Sequence, residues 1–204
     1  MKRMIIASVA AVAAFAIPSS AQVSNGAQAT NFRLTDANGK NVALSDFKGK
    51  LVVLEWHNPG CPFVVKHYKS GNMQKTQNAV TAAGGVWLTI NSGAPGKQGH
   101  MNGAEARKLL ADQNAAPTHY LLDPRGIVGK GYDAKTTPHM YVINPAGTLV
   151  YQGAIDDKPT ANVADIAGAR NHVLAAVEEV RAGKPVSVAT SRAYGCTVKY
   201  PDAA

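Results

Sequence analysis

The segment from Leu51 to Val64 reads LVVLEWHNPGCPFV, and it decides the fold. Its first half, residues 51–56, is almost continuously apolar, which is typical of a central strand covered on both faces. Cys61 follows a short turn. Pro62 behind it suits the first turn of a helix, where a missing N–H costs nothing. The segment therefore predicts a strand, a turn and a helix that begins at a cysteine.

The predicted position of Cys61 favours chemistry at its sulfur. A thiol at a helix N-terminus meets unpaired backbone N–H groups and the positive end of the macrodipole, and both favour the thiolate. The thiolate is the nucleophilic form, so Cys61 is a candidate redox or nucleophilic centre. The alternative is a buried structural thiol, because free cysteine is among the most buried residue types.

The first 21 residues predict the compartment. A short basic start at residues 1–4 precedes a small, apolar run at residues 5–17, and small residues then lead to a cleavage site after Ala21. This pattern is typical of a secretory signal peptide, and the apolar run is short for a membrane span; an uncleaved anchor is the alternative. We expect an exported, periplasmic protein. Its mature chain of 183 residues forms one domain, with a core at about 30–183 and a packed tail at 184–204.

The charge pattern argues against some partners. The chain has a formal net charge of +8, which falls to +6 when Lys2 and Arg3 leave with the signal peptide. The remaining basic residues are scattered, and aromatic residues are not interleaved with a basic stripe as nucleic-acid surfaces require. No later segment is apolar enough to cross a bilayer. We therefore expect neither a nucleic-acid partner nor a membrane span in the mature chain.

The chain contains two cysteines, Cys61 and Cys196, 135 positions apart. An even count in an oxidising compartment permits pairing, and closing so long a loop stabilises by ~4–5 kcal/mol in the chain-entropy model. The alternative is that Cys196 is simply a buried tail cysteine. Two cysteines cannot make a zinc cage, and the histidines do not form ligand-spaced pairs, so we expect no metal and no cofactor.

The rest of the chain alternates between strand and helix patterns. Asn38-Gly39 is a strong hairpin signal between two short apolar runs. The helix after Cys61 should be interrupted around Ser70-Gly71. The other predicted elements are a second core strand at 85–91, a loop at 92–102, a helix at 104–113, strands at 139–143 and 149–152 joined by a type I turn, and a final helix at 161–182 with Val163 on its apolar stripe.

This order of elements resembles the thioredoxin fold, an α/β architecture with a central mixed β-sheet flanked by helices, here with an N-terminal β-hairpin and a C-terminal tail. Two motifs narrow the resemblance: Cys61-Pro62-Phe63-Val64 and Gly195-Cys196-Thr197-Val198-Lys199. Together they resemble a bacterial exported subfamily of thioredoxin-like redoxins, in the alkyl hydroperoxide reductase/thiol-specific antioxidant superfamily. The resemblance covers about residues 30–200.

The resemblance implies several further site residues. Thr137-Pro138 corresponds to the cis-proline element of the fold, which lies beside the nucleophilic cysteine and offers backbone groups to a partner chain; a trans proline before an edge strand is the alternative. Trp56 resembles a wall of the active site. The remaining candidates are Asn58 and Pro62 for substrate binding, and His57, Lys66 and His67 for stabilising the thiolate.

The departures from the family matter equally. Thioredoxins resolve a mixed disulfide with the second thiol of Cys-x-x-Cys, but Val64 stands at that position here. Peroxiredoxins carry proline and threonine seven and three residues before their cysteine, where this chain has Leu54 and Asn58. Any resolving thiol within the chain must therefore be Cys196.

We expect an exported thiol–disulfide oxidoreductase whose partners are protein or small-molecule thiols and disulfides. Cys61 would be the nucleophile, and Cys196 or an external thiol would release the substrate. One alternative is a divergent peroxidase, in which peroxide converts Cys61 to a sulfenic acid that Cys196 resolves. Another is a non-catalytic binding protein that handles metal through Cys61 with His57 or His139.

Overall fold

The structure is a computed structural model that describes residues 23–202. The predicted signal peptide at residues 1–21 lies outside the described residues, so its outcome stays a prediction. Within residues 23–202, none of the helices combines the length and the apolar character that a membrane crossing needs.

Strands and helices alternate along most of the described chain. The strands are β1 (Arg33–Asp36), β2 (Asn41–Ala43), β3 (Val52–Trp56), β4 (Val86–Asn91), β5 (His119–Leu122), β6 (Thr136–Thr137), β7 (His139–Ile143), β8 (Leu149–Gly153) and β9 (Cys196–Thr197). The α-helices are α1 (Pro62–Lys69), α2 (Asn72–Thr81), α3 (Gly103–Asp112), α4 (Ile127–Gly131) and α5 (His172–Arg181). Short 3₁₀ helices cover Leu44–Phe47 and Val163–Gly168.

Seven of the strands form one mixed sheet in the order β2-β1-β5-β4-β3-β7-β8. The strand β3 lies in its interior, parallel to β4 and antiparallel to β7, and all five of its residues are buried. This confirms the predicted central strand and the thioredoxin-like α/β fold. Asn38-Gly39 lies in the turn between β1 and β2, which pair antiparallel as the hairpin signal predicts.

The two faces of β3 belong to two different cores. Leu54 and Trp56 join one apolar cluster, whereas Val53 joins the other, because successive strand side chains point to opposite faces. The second cluster also contains Cys61 and apolar residues of α1, α2 and α5. The helix that begins at Cys61 therefore covers the Val53 face of the sheet.

The predicted interruption of the helix after Cys61 is confirmed. The helix α1 ends at Lys69, and α2 starts at Asn72 after Gly71, which has a φ of +72°. A side chain is disfavoured in this left-handed conformation, so glycine permits the change of direction. Both short helices can then pack against the same sheet face.

The single helix predicted over residues 161–182 is wrong. The structure has the 3₁₀ helix Val163–Gly168, a break, and then α5 from His172. The Asn171 side chain accepts a hydrogen bond from the Leu174 N–H at 2.9 Å, which caps a new helix at that point. Val163, predicted on an apolar stripe, is instead 44% exposed, because the 3₁₀ segment does not continue the register of α5.

The described part of the C-terminal tail, up to residue 202, contacts the rest of the chain. Its strand β9 pairs antiparallel with β6, and this two-stranded sheet is separate from the large one. Tyr194 and Val198 pack against the two apolar clusters from the tail side. The tail therefore returns to the end of β6, immediately before Pro138.

Candidate redox site

Cys61 lies at the N-terminus of α1, where the sequence predicts it. It is the N-cap residue, and Pro62 follows in the first turn. The Cys61 carbonyl oxygen accepts hydrogen bonds from the N–H groups of Val64 and Val65, both at 2.9 Å. The side chain of Cys61 is fully buried, whereas Pro62 beside it is exposed.

The Thr137–Pro138 peptide lies against this thiol. The bond is cis, as the resemblance implies, and both residues are buried. The Cys61 thiol donates a hydrogen bond to the Thr137 carbonyl oxygen, with 3.0 Å between sulfur and oxygen. The strand β7 starts directly after Pro138 and pairs with β3, so the sheet itself fixes this loop beside Cys61.

The tail brings the second cysteine to the same place. Cys196 pairs with Thr137 in the β6–β9 ladder, and its backbone N–H donates to the Cys61 sulfur at 3.4 Å. Gly195 runs so close to β6 that a Cβ there would overlap the Thr137 carbonyl oxygen. Both cysteines are free thiols in this structure. Two residues 135 positions apart in sequence thus meet at one site.

The two thiols have different acidities. Burial raises the pKa of Cys61, but hydrogen bonds from the Cys196 thiol, the Cys196 N–H, the Val64 N–H and Thr137 outweigh it, so the pKa is lowered overall. Burial, the hydrogen bond donated to Cys61 and the charge of the Cys61 thiolate raise the pKa of Cys196 to about 11. Cys61 is therefore the thiol that ionises first.

The prediction that Trp56 forms a wall of the site is wrong. Trp56 packs on the opposite face of the sheet from Cys61, against Tyr132 and Tyr141. Its indole N–H donates to the Ser92 hydroxyl at 3.0 Å. Side chains alternate between the two faces of a strand, so Trp56 lies on the same face as Leu54 and on the opposite face from Val53.

The three basic candidates contact other groups than the thiol. His57 Nδ1 lies 3.0 Å from the Tyr120 hydroxyl, and burial lowers the pKa of His57 to about 3. Lys66 and His67 are buried, and both lie near the Asp156 carboxylate: Lys66 Nζ is 3.7 Å and His67 Nε2 is 3.9 Å from the same carboxylate oxygen. The contacts of all three side chains are thus with groups other than the Cys61 sulfur, and they do not support the predicted role of stabilising the thiolate.

Two further candidates also have partners inside the protein. The Asn58 amide donates to the Gln98 side-chain oxygen at 2.9 Å and accepts from the Gly60 N–H, so it holds the loop before Cys61. His139, considered above as a metal ligand, accepts from the Lys135 N–H at 3.3 Å. Residues 23–202 contain no group of three or more His, Cys, Asp and Glu side chains placed to hold a metal ion.

Glu55 is a buried acid that the sequence analysis did not consider. Its carboxylate accepts from the Tyr68 hydroxyl at 3.0 Å, the Trp87 indole N–H at 2.9 Å and the Thr89 hydroxyl at 2.9 Å. Burial raises the pKa of Glu55, and these hydrogen bonds oppose the rise without cancelling it. The signal was present in the sequence, because a charged residue inside an otherwise apolar strand is unusual.

The match to a known family agrees with this geometry. Residues 25–152 match the family described as AhpC/TSA, a span that exceeds half of the chain and includes Cys61 and Pro138. The chain belongs to the AhpC/TSA family. The matched span ends at residue 152, before the tail that carries Cys196. The second cysteine of this chain therefore lies outside the part that matches the family.

Among curated proteins, the chain is similar to ResA of Bacillus subtilis, which is named a thiol-disulfide oxidoreductase. The two are 26% identical over 135 residues, which is 63% of this chain and 66% of ResA. The aligned part thus spans just under two thirds of the length of that relative.

Solved structures show the same fold over longer spans. A conserved protein of Geobacillus kaustophilus is 26% identical, with a TM-score of 0.75 over 90% of this chain and 96% of that one. The thioredoxin domain of a thiol-disulfide oxidoreductase from Bacteroides vulgatus is 22% identical, with a TM-score of 0.52 over 64% of this chain and 89% of that one. The thioredoxin-like redoxin assignment therefore agrees in sequence and in fold.

The lowered pKa of Cys61 predicts selective alkylation. In the reduced protein, Cys61 should react with iodoacetamide with a pH midpoint below ~8.5, the ordinary value for cysteine. Cys196→Ala removes the thiol donor but keeps the backbone N–H, so the midpoint should rise towards the ordinary value. Rates measured from pH 5 to 10 by mass spectrometry check this. In the initial rates of the wild type, before Cys61 is modified, Cys196 should react slowly below pH 9. A fast initial reaction of Cys196 there would contradict the assignment.

The raised pKa of Glu55 predicts a pH-dependent stability. A folded-state pKa above the unfolded one stabilises the protein fully below the unfolded value of about 4.3, and this contribution is lost as pH rises through the folded pKa. The free energy of unfolding of wild type minus that of Glu55→Gln should therefore fall as pH rises above about 4.3. Urea denaturation of both proteins at several pH values measures the difference. The exposed Glu178→Gln supplies the baseline, and a flat difference for Glu55→Gln would refute the prediction.

Proposed function

We propose that this protein is an exported thiol–disulfide oxidoreductase in which Cys61 is the nucleophile and Cys196 the resolving thiol. The observation that carries the proposal is the contact between the two cysteines: the Cys196 N–H lies 3.4 Å from the Cys61 sulfur, at the start of α1. The names of similar proteins support the same class of reaction.

The reaction balances with two thiols and one substrate disulfide. The Cys61 thiolate attacks one substrate sulfur, so a Cys61–substrate disulfide forms and the other substrate sulfur leaves as a thiolate. Cys196 then loses its proton and attacks the Cys61 sulfur, which releases the second substrate thiolate and leaves a Cys61–Cys196 disulfide. The substrate gains two electrons, the protein loses two, and an external dithiol must reduce the protein again. In an oxidising compartment the same steps run in reverse and deliver a disulfide to a partner.

The difference in acidity supports this order of attack. The pKa of Cys61 is lowered and that of Cys196 is raised to about 11, so the first thiolate forms at Cys61. Once Cys61 is bound to substrate, its thiolate charge no longer raises the pKa of Cys196. Formation of the mixed disulfide therefore makes Cys196 easier to ionise, when its attack is needed.

A hydroperoxide is the second candidate oxidant. The burial of the Cys61 sulfur favours a small oxidant over a folded protein. The Cys61 thiolate would attack the hydroperoxide, which forms a sulfenic acid and releases hydroxide or alkoxide, and the Cys196 thiolate would then displace hydroxide from the sulfenic acid to give the same disulfide. Against this reaction stands Asn58, whose amide is bound to Gln98 and which occupies the position of the peroxiredoxin hydroxyl.

Catalysis of disulfide reduction tests the main proposal. Wild type should accelerate the reduction of insulin by dithiothreitol, and Cys61→Ser should fall to the uncatalysed rate because no nucleophile remains. Cys196→Ser should accumulate a substrate adduct at Cys61, detectable by mass spectrometry without reductant. Peptide mapping of oxidised wild type should recover a cross-linked Cys61–Cys196 pair. Full turnover by Cys61→Ser would refute the proposal, and peroxide consumption without insulin reduction would favour the second candidate.

Export rests on the sequence of residues 1–21, and it has its own test. Expressed with its full N-terminus in a Gram-negative host, the protein should appear in the periplasmic fraction with an N-terminus at Gln22. Edman sequencing or intact mass of that fraction gives the answer. A chain that keeps Met1 and fractionates with the cytoplasm would contradict export, whatever the outcome of the insulin assay.

A further inference from the structure

Asp156 connects the tail to the helix of the nucleophile. It follows β8, is almost fully buried, and accepts hydrogen bonds at one carboxylate oxygen from the Tyr194 hydroxyl and from the Lys158 N–H. The other oxygen lies 3.7 Å from Lys66 Nζ. Lys66 is itself buried on α1 and donates to the Lys158 carbonyl oxygen at 2.9 Å. A buried charge pair of this kind holds its geometry, because separating it would leave a charge without a partner.

His67 completes the set of contacts around the Tyr194 hydroxyl. Burial lowers the pKa of His67 to about 4, so the ring is neutral at pH 7. Its Nδ1 accepts from the Asn72 amide at 2.8 Å, which assigns the ring proton to Nε2. Nε2 therefore donates to the Tyr194 oxygen at 3.2 Å, while the Tyr194 proton points to Asp156. The hydroxyl is bound on both sides.

Tyr194 stands two residues before Cys196. The ring of Tyr194 packs edge-on against Phe63, with 5.8 Å between centroids, and Phe63 stands two residues after Cys61. Gly195 between Tyr194 and Cys196 lies tightly against the Thr137 carbonyl. A fixed Tyr194 therefore leaves the Cys196 backbone little freedom relative to α1 and its thiol.

We propose that Tyr194 and Asp156 are positioning residues for the resolving step: the buried Asp156 carboxylate holds the Tyr194 hydroxyl and thereby keeps Cys196 against the Cys61 sulfur. This inference rests on the proposed role of Cys196. The hydrogen bonds of these two side chains go to each other, to His67 and to the Lys158 N–H, and not to the Cys61 sulfur. Their effect is on the local concentration and orientation of the second thiol, and misplacement of a reacting group slows attack even when its chemistry is unchanged.

The two steps of Ellman's reaction separate positioning from nucleophilicity. The Cys61 thiolate attacks the reagent and releases one thionitrobenzoate, which leaves a Cys61 mixed disulfide. Attack by Cys196 then releases a second thionitrobenzoate and forms the Cys61–Cys196 disulfide. Stopped-flow absorbance at a small excess of reagent resolves the two phases. The second phase depends on the position of Cys196 through the attack of its sulfur, whereas the first phase depends on it only through the hydrogen bonds that lower the pKa of Cys61.

The informative variant is Tyr194→Phe, which keeps the ring against Phe63 and removes the hydroxyl. The second phase should slow by at least about tenfold, the range expected for loss of a hydrogen bond to a charged group, while the first phase is not slowed to the same extent. Asp156→Asn should slow the second phase in the same direction. Far-UV circular dichroism and urea unfolding identify a variant that has lost its fold; if Asp156→Asn unfolds, Tyr194→Phe still decides the question.

A matched control lies in the same tail. The Tyr200 hydroxyl also donates a half-buried hydrogen bond, to the Ala134 carbonyl oxygen at 2.7 Å, and not to Asp156. Tyr200→Phe should therefore keep a second phase within about twofold of wild type. An equal slowing in Tyr200→Phe, or an unchanged second phase in Tyr194→Phe, would overturn the inference. A wild type without a second phase, or with one that survives in Cys196→Ser, would instead overturn the proposed role of Cys196.

Discussion

The structure of the site depends on the hydrogen bonds of one buried sulfur atom, that of Cys61. Cys61 is withdrawn from solvent, and the groups that satisfy it are the Thr137 carbonyl oxygen and the Cys196 N–H. These partners are 76 and 135 residues away in sequence. The antiparallel pairing of β3 with β7 brings the first, and the pairing of β6 with β9 brings the second. Strand pairings in two separate sheets thus assemble the site.

The polar groups buried beneath the site divide into two sets with different tasks. Glu55 and two of its donors, Trp87 and Thr89, lie in the sheet, while the third donor, Tyr68, lies on α1. Their effect is on the proton affinity of Glu55. Asp156, Lys66 and Tyr194 lie between α1 and the tail, and their effect is on position. Buried ionisable groups of this kind add little to stability compared with apolar residues of similar size. Their presence on the Cys61 side of the sheet agrees with a functional origin.

Local signals predicted most of the fold and the first half of the site. Three local patterns each favour a conformation that the structure contains. They are the turn at Asn38-Gly39, the apolar run at 51–56 and Pro62 after Cys61. The face of Trp56 could not be predicted this way, because a run of buried residues has no alternation to indicate which side meets α1.

The remaining differences come from one local helix cap and from contacts between residues that lie further apart in the sequence. The break before α5 depends on the Asn171 cap and on a hydrogen bond from the Arg170 N–H to Asp157, 13 residues earlier. The bond between Asp156 and Tyr194 spans 38 residues and leaves no periodic trace in the sequence. The motif at residues 195–199, directly after Tyr194, resembles that of the family, but a resemblance gives positions and not contacts.

The pairing of β9 with β6 has a consequence for any incoming polypeptide. A strand edge can pair with one neighbour at a time, and the backbone of Thr137 is already paired with Cys196. An extended partner chain can use that edge only after the tail has left it. The tail is thus an intramolecular competitor present at a fixed local concentration. A partner segment must displace the tail to pair with β6. Segments that make more contacts with the protein can therefore compete better than short ones.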